Sequence, residues 1–253
     1  MKIALLSLID GQSIDQWQSF VFQTQRSFMP FAERQYFLFS SDEAPTRLPP
    51  GVEWCQQNDQ TLDFDKRHCL LPTLPIDLLC QFDWVFYLSL NLTFFRAIGR
   101  DLLPKRDHEL VVVQHAEYVN LPPDRLPFER NQKSTAYVSI GQGIYYVTHQ
   151  IVGGRPRIFQ AMAESMHQSL IEDCRNGVVA ERLPEAHLNR YLIDHPHCLK
   201  HSGYCYPQGW DLGVPRMILC KSGNTSHQSD KRGSGHTGEL DRNSSRERVS
   251  RAA

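Results

Sequence analysis

The chain has 253 residues, 41% of them hydrophobic, enough to bury a sizeable core in one α/β domain or two small ones. A formal net charge of -1 excludes a global basic field toward nucleic acid or anionic lipid, and no stretch approaches the length of a spanning helix, so no transmembrane anchor is expected. Seven cysteines without a paired spacing pattern are expected as reduced thiols of a cytoplasmic protein.

Strand-like and helical segments alternate. Lys2 to Leu8 is an apolar strand candidate meeting the turn signal Asp10-Gly11; it is too short, and lacks the small-residue cleavage site, for a signal peptide. Trp17, Phe20, Val21, Thr24 and Phe28 recur at helical spacing, and Gln35 to Ser40 is a short aromatic-rich strand. Residues 41–66 carry Pro, Gly, Asp and Gln and read as loop, and Pro72 and Pro75 keep the next helix short or kinked. Trp84 to Leu90 and Leu110 to Gln114 are two further buried strands. Tyr145-Tyr146-Val147 opens a segment that closes at Gly153-Gly154. Pro156 suits a first helical position, and Phe159, Met162, Ala163, Met166 and Leu170 form one apolar face. Pro184 can open a second helix carrying Glu185, Leu188, Tyr191 and Leu192. This alternation predicts an α/β fold with a mostly parallel sheet. Residues 222–253, with Leu240 and Val249 their only sizeable aliphatics, are expected to form a disordered tail after a domain spanning 1–221.

Polar residues at strand and helix ends are the candidates for chemistry. Ser89-Leu90-Asn91 lies just past a strand, where ligands bind in open α/β sheets. By itself the triplet is an ordinary strand end, and the sequon Asn91-Leu92-Thr93 has apolar neighbours that predict burial. Glu185 at a helix start is favoured as a carboxylate by exposed backbone N–H groups. First-turn capping is the simpler reading on spacing alone, with His187 and Asn189 as surface polar residues. His115 stands just beyond a strand, where it can donate to a substrate hydroxyl, and Glu129-Arg130 can pair to clamp a loop. His195, His197, Cys198, His201 and Cys205 are all possible zinc ligands, but their spacing matches no closed zinc site.

These spots fall in the order and spacing of glycosyltransferase family 6, which the chain resembles from Lys2 to about Tyr204. The resemblance is carried by FERNQKSTAYV (Phe128 to Val138), GQGIYYVTHQIVGG (Gly141 to Gly154), NGVVAERLPEAHLNRYL (Asn176 to Leu192), and Phe28-Met29 with YFLFSSD (Tyr36 to Asp42). It implies a GT-A-like, Rossmann-type fold and retaining transfer of galactose or N-acetylgalactosamine from a UDP-sugar to a β-galactoside acceptor in α1,3 linkage. The family's catalytic Glu falls on Glu185. Its metal-binding DxD falls on Ser89-Leu90-Asn91, and its acceptor-contacting His on His115, with Pro127 and Arg182 also toward the acceptor. The uracil and ribose segment falls on Leu8-Ile9-Asp10, with a Tyr position at Ser13, and a donor-contacting Arg on Lys66 or Arg67.

Ser89 and Asn91 carry no charge, so no divalent metal and no other cofactor is expected. The developing charge on the leaving diphosphate then needs protein cations, with Lys66, Arg67, Arg182, Lys221, Lys231 and Arg232 as candidates. The family's Trp-His-Asp before the catalytic Glu has become Arg182-Leu183-Pro184, and an expected acidic position falls on Pro207. A catalytically inactive sugar-nucleotide- or glycan-binding protein on the same scaffold is the alternative.

Overall fold

Apolar runs that the sequence offers become the inner strands of one sheet. A computed structural model describes residues 1–9, 14–56, 71, 74–107 and 109–221. The expectations placed on Asp10, Ser13, Lys66, Arg67, Pro72, Lys231, Arg232 and residues 222–253 as a whole lie outside the described residues. Seven strands, β1 (Lys2–Leu8), β2 (Glu33–Ser40), β3 (Val52–Gln56), β4 (Trp84–Leu88), β6 (Leu110–Gln114), β7 (Val147–Gly154) and β8 (His197–Lys200), stand in the order β3-β2-β1-β4-β7-β6-β8. All pair in parallel except β7, which is antiparallel to both neighbours. The α/β class with a mostly parallel sheet is what the alternation of periods predicts.

Helices cover both faces, which is why β4 and most of β1 and β6 are apolar on successive positions rather than alternately. Ile3, Leu5, Phe86 and Val111 point to one face, where α1 (Ile14–Ser27) adds Trp17, Phe20 and Val21. Ala4, Leu6, Val85, Tyr87 and Val112 point to the other, against Phe159, Met162 and Met166 of α3 (Pro156–Arg175) and Leu188 and Leu192 of α4 (Glu185–Asp194). Full burial of such side chains contributes roughly 1.5–3 kcal/mol each. The helix that follows Pro75 is α2 (Ile76–Leu79), four residues long. Gly153 is required by packing: a Cβ there would lie 2.2 Å from Phe86 Cδ1.

Two elements differ from expectation. Residues 41–66 are not all loop, because Val52–Gln56 forms the edge strand β3. Its sequence VEWCQ is half exposed, so it carries no continuous apolar signal. A second sheet, β5 (Leu92–Phe94), β10 (Ile218–Cys220) and β9 (Tyr206–Pro207), forms off the end of β4. Of the sequon, Leu92 is buried while Asn91 and Thr93 are partly covered. No helix among the described residues is long and apolar enough to cross a membrane.

Candidate functional site

The carboxyl ends of β1, β4 and β6 and the start of β7 meet at one edge of the sheet, where an open α/β fold binds ligands. Short bonds tie this edge together: Ser7 Oγ donates to Leu88 O at 2.7 Å, Ser89 N–H to Gln150 O at 3.0 Å, and His115 N–H to Tyr146 O at 2.8 Å. Leu8 ends β1, and Ile9 is a core residue whose N–H donates to Phe39 O. The Ser89-Leu90-Asn91 turn follows, with Leu90 buried and Asn91 O accepting from the N–H of Lys221 at 2.9 Å.

Strand β7 is irregular where it passes this edge. Against β6 its register runs Val112 to Val152 and then Val113 to Thr148, so His149, Gln150 and Ile151 have no β6 partners. Bulges of this kind re-aim side chains and release backbone N–H groups from the ladder. The N–H of His149 goes instead to Glu185 Oε1 at 3.3 Å, and His149 Nδ1 lies 3.2 Å from the same oxygen. Gln150 Nε2 lies 3.4 Å from His149 Nε2, and because a carboxylate only accepts, the Nδ1 that meets Glu185 carries a proton. Gln150 Oε1 is buried and has no partner among the described residues.

Glu185 opens α4, as its position after Pro184 predicts, but its carboxylate is held from β7 by His149. The helix itself is fixed by two residues the spacing assigned to the surface. Asn189 is 3% exposed; its side chain accepts from Val147 N–H and donates to Val147 O and Glu185 O, each at 2.9 Å. His187 is 4% exposed, with Nε2 3.7 Å from the buried Asp173, which accepts from Ser134 Oγ and Thr135 N–H. Glu129 and Arg130 do not pair with each other. Glu129 accepts from the N–H groups of Asn131 and Glu181, and Arg130 donates to Val138 O. They clamp loops through backbone, which a residue-pair reading does not anticipate.

A cavity of about 140 Å³ opens beside Glu185, lined also by His115, Glu117, Thr148, Gln150, Cys205 and Cys220. His115 Nε2 is 3.9 Å from Glu185 Oε1, and its ring stacks on Tyr118 at 4.5 Å between centroids. Burial pushes the Glu185 carboxyl up. The hydrogen bond and charge of His149, with help from His115 and Thr148, outweigh this and hold it below its ordinary value. Burial lowers His115, against the opposing pull of Glu185 and Glu117. At neutral pH the site therefore holds a carboxylate beside an uncharged imidazole. Burial also raises the Tyr118 hydroxyl to about 12. The Arg182 guanidinium lies 5.6 Å from the Tyr118 ring centre. Pro127 and Arg182 line a neighbouring cavity of about 270 Å³ with Glu129 and Ala186.

Of the residues singled out in the sequence, Glu185 and His115 are brought together, and Ser89 joins them through Gln150. The Ser89–Asn91 turn does not fit a divalent cation: it offers a hydroxyl and a carboxamide in place of anionic oxygens, and Ser89 Oγ accepts from Asn91 N–H at 3.4 Å. The zinc candidates are spread over separate contacts. His195 Nδ1 meets Tyr191 O, His197 Nδ1 meets His195 O, and His201 Nδ1 accepts from Gly203 N–H, while Cys205 lines the Glu185 cavity. Among the described residues no group of three His, Cys, Asp or Glu side chains is placed to hold a metal. The sequence reading does not single out His149, Gln150 or Cys220, and it names Cys205 only as a zinc candidate. The available signal was Thr148-His149-Gln150, a polar interruption inside an otherwise apolar strand.

The model of glycosyltransferase family 6 matches residues 76–228. Globoside alpha-1,3-N-acetylgalactosaminyltransferase 1 of Gallus gallus is 30% identical over 115 residues, covering 46% of this chain and 32% of that protein. The Mus musculus protein of the same name is 26% identical over 216 residues, 79% of this chain and 58% of that one. Glycosyltransferase 6 domain-containing protein 1 of Rattus norvegicus is 28% identical over 233 residues, 86% and 70% respectively. The chain spans 32% to 58% of the globoside transferases it matches.

Proposed function

The chain belongs to glycosyltransferase family 6, and from that premise we propose that it moves galactose or N-acetylgalactosamine from a UDP-sugar to a β-galactoside acceptor. Transfer would retain configuration, form an α1,3 linkage and need no divalent metal. The observation that carries this reading is the ionised Glu185 carboxylate in a cavity off the sheet edge, 3.9 Å from a neutral His115. Breaking a glycosidic bond to a diphosphate leaves positive charge on the sugar ring, and a carboxylate beside it attacks the anomeric carbon or balances that charge. Both roles need the anion, which the surroundings of Glu185 favour.

Each other component has a candidate. Neutral His115, whose Nδ1 accepts from the Glu117 N–H at 3.3 Å and which therefore keeps its proton on Nε2, is suited to donate to an acceptor hydroxyl and orient it. Gln150 Oε1, buried and unpartnered among the described residues, is suited to accept from a hydroxyl or amide of the donor sugar. Lys221, bonded through its backbone to Asn91, is a candidate cation for the leaving diphosphate. The names of the globoside relatives, which specify an α1,3 linkage and N-acetylgalactosamine, support the linkage and donor class.

The test is donor turnover. Purified protein is incubated with UDP-galactose or UDP-N-acetylgalactosamine and a lactose-type acceptor, with and without EDTA. UDP release is followed and the product's anomeric proton is read by NMR. The reading expects an α-linked product with at least one donor, surviving EDTA. Activity lost to EDTA and restored by Mn²⁺ would overturn metal independence, and no product from either donor would overturn the donor class.

A further inference from the structure

We propose that His149 is the positioning residue that fixes the Glu185 carboxylate by Oε1 and leaves Oε2 to face the sugar; this rests on the reading of Glu185 given above. The backbone N–H and ring Nδ1–H of His149 converge on one oxygen, at 3.3 and 3.2 Å. The approach of His115 Nε2, at 3.9 Å, is to that same oxygen. A carboxylate oxygen held from two directions by one residue cannot rotate away without losing both bonds. The bulge makes this possible. Were β7 in regular register with β6, the N–H of His149 would belong to the ladder and its side chain would lie elsewhere on the pleat.

Gln150 completes the device. Its amide nitrogen lies 3.4 Å from His149 Nε2, while Nδ1 directs its proton at the Glu185 carboxylate. The side chain of His149 is 23% exposed and that of Glu185 12%, so water competes only partly for these bonds. Glu117, Arg182 and Cys205 also act electrostatically on this group of residues, and Thr148 adds a side-chain hydrogen bond to Glu185.

Two substitutions of nearly equal shape separate donation from packing. His149→Asn keeps an N–H donor close to the ring Nδ1, whereas His149→Leu keeps the volume and removes the donor. Both retain the backbone N–H. The Glu185 carboxyl is titrated by NMR in protein carrying ¹³C-labelled glutamate, its signal identified by its loss in Glu185→Gln, and donor turnover is measured in parallel. H149L should raise the Glu185 titration and lower kcat about 100-fold, with donor KM changed by less than about threefold. H149N should return most of both. Wild-type titration and kcat in H149L, or identical behaviour of the two variants in both readouts, would overturn the proposal. If the wild-type protein turns over no donor, the functional reading fails, and the titration alone still decides whether His149 holds Glu185.

Discussion

Cys220 and Cys205 line the Glu185 cavity together, yet their thiols differ. The hydrogen bond between them lowers Cys220 against the effect of burial, and the same bond raises Cys205, with burial adding to it. Cys220 is partly exposed and Cys205 buried. Because the thiolate is the species that alkylates, N-ethylmaleimide should label Cys220 well before Cys205, and a bound UDP-sugar should slow the labelling. Peptide mapping over time checks this; faster labelling of Cys205 would contradict the assignment. Pro184 marks Glu185 as a first-turn carboxylate, for which capping is the simpler reading, and only the family resemblance singles it out for catalysis. Its partner His149 carries no such mark. Nothing in the segment Thr148-His149-Gln150 tells which side of β7 the imidazole takes, since the bulge decides that.

Helix α4 shows where element-level reading stops. Leu188 and Leu192 on one face were readable from their spacing, but that spacing left His187 and Asn189 to solvent. Both are buried because the helix is covered on further sides, by β7 and by α3 with the turn at Ser134. A period of 3.6 reveals one apolar face and is silent about a polar face that finds buried partners. Asn189→Ala would leave Val147 N–H and C=O buried without partners, and should cost about 2–4 kcal/mol of unfolding free energy. Urea denaturation measures it, and a loss below about 0.5 kcal/mol, the range of ordinary surface changes, would show that Asn189 does not anchor the helix. Strand β3 went unread for a related reason: edge strands are half exposed and polar, so neither alternation nor a continuous apolar run marks them.

The inner strands and the two large helices, by contrast, were visible because a sheet buried on both faces demands uninterrupted apolar runs. The small sheet of β5, β9 and β10 was not, since two- and three-residue strands carry no period. Its contribution to the site, through Cys220 of β10, is therefore not readable from periodicity.

For the molecule as a whole, the buried histidines set the response to acid. Burial lowers His115 and His187 below their ordinary 6.5 in the folded state. A group so depressed binds its proton more readily when unfolded, so its contribution is present above pH 6.5 and is lost as pH falls toward the folded-state value. Glu185, lowered from 4.5, adds a second loss in more acidic solution. The melting temperature should therefore be highest at and above neutrality and fall steadily below pH 6.5. A curve that is flat or rising between pH 7.5 and 5.5 would contradict the protonation states assigned here.

The central claim is that Glu185 carries sugar transfer, and Glu185→Gln tests it most directly. The amide keeps the size of the side chain and removes the charge. Donor turnover and UDP affinity are measured on the same preparation. The account predicts that turnover falls by at least about 100-fold while the dissociation constant for UDP changes by less than about threefold. Turnover equal to that of the wild type would show that the reaction centre lies elsewhere.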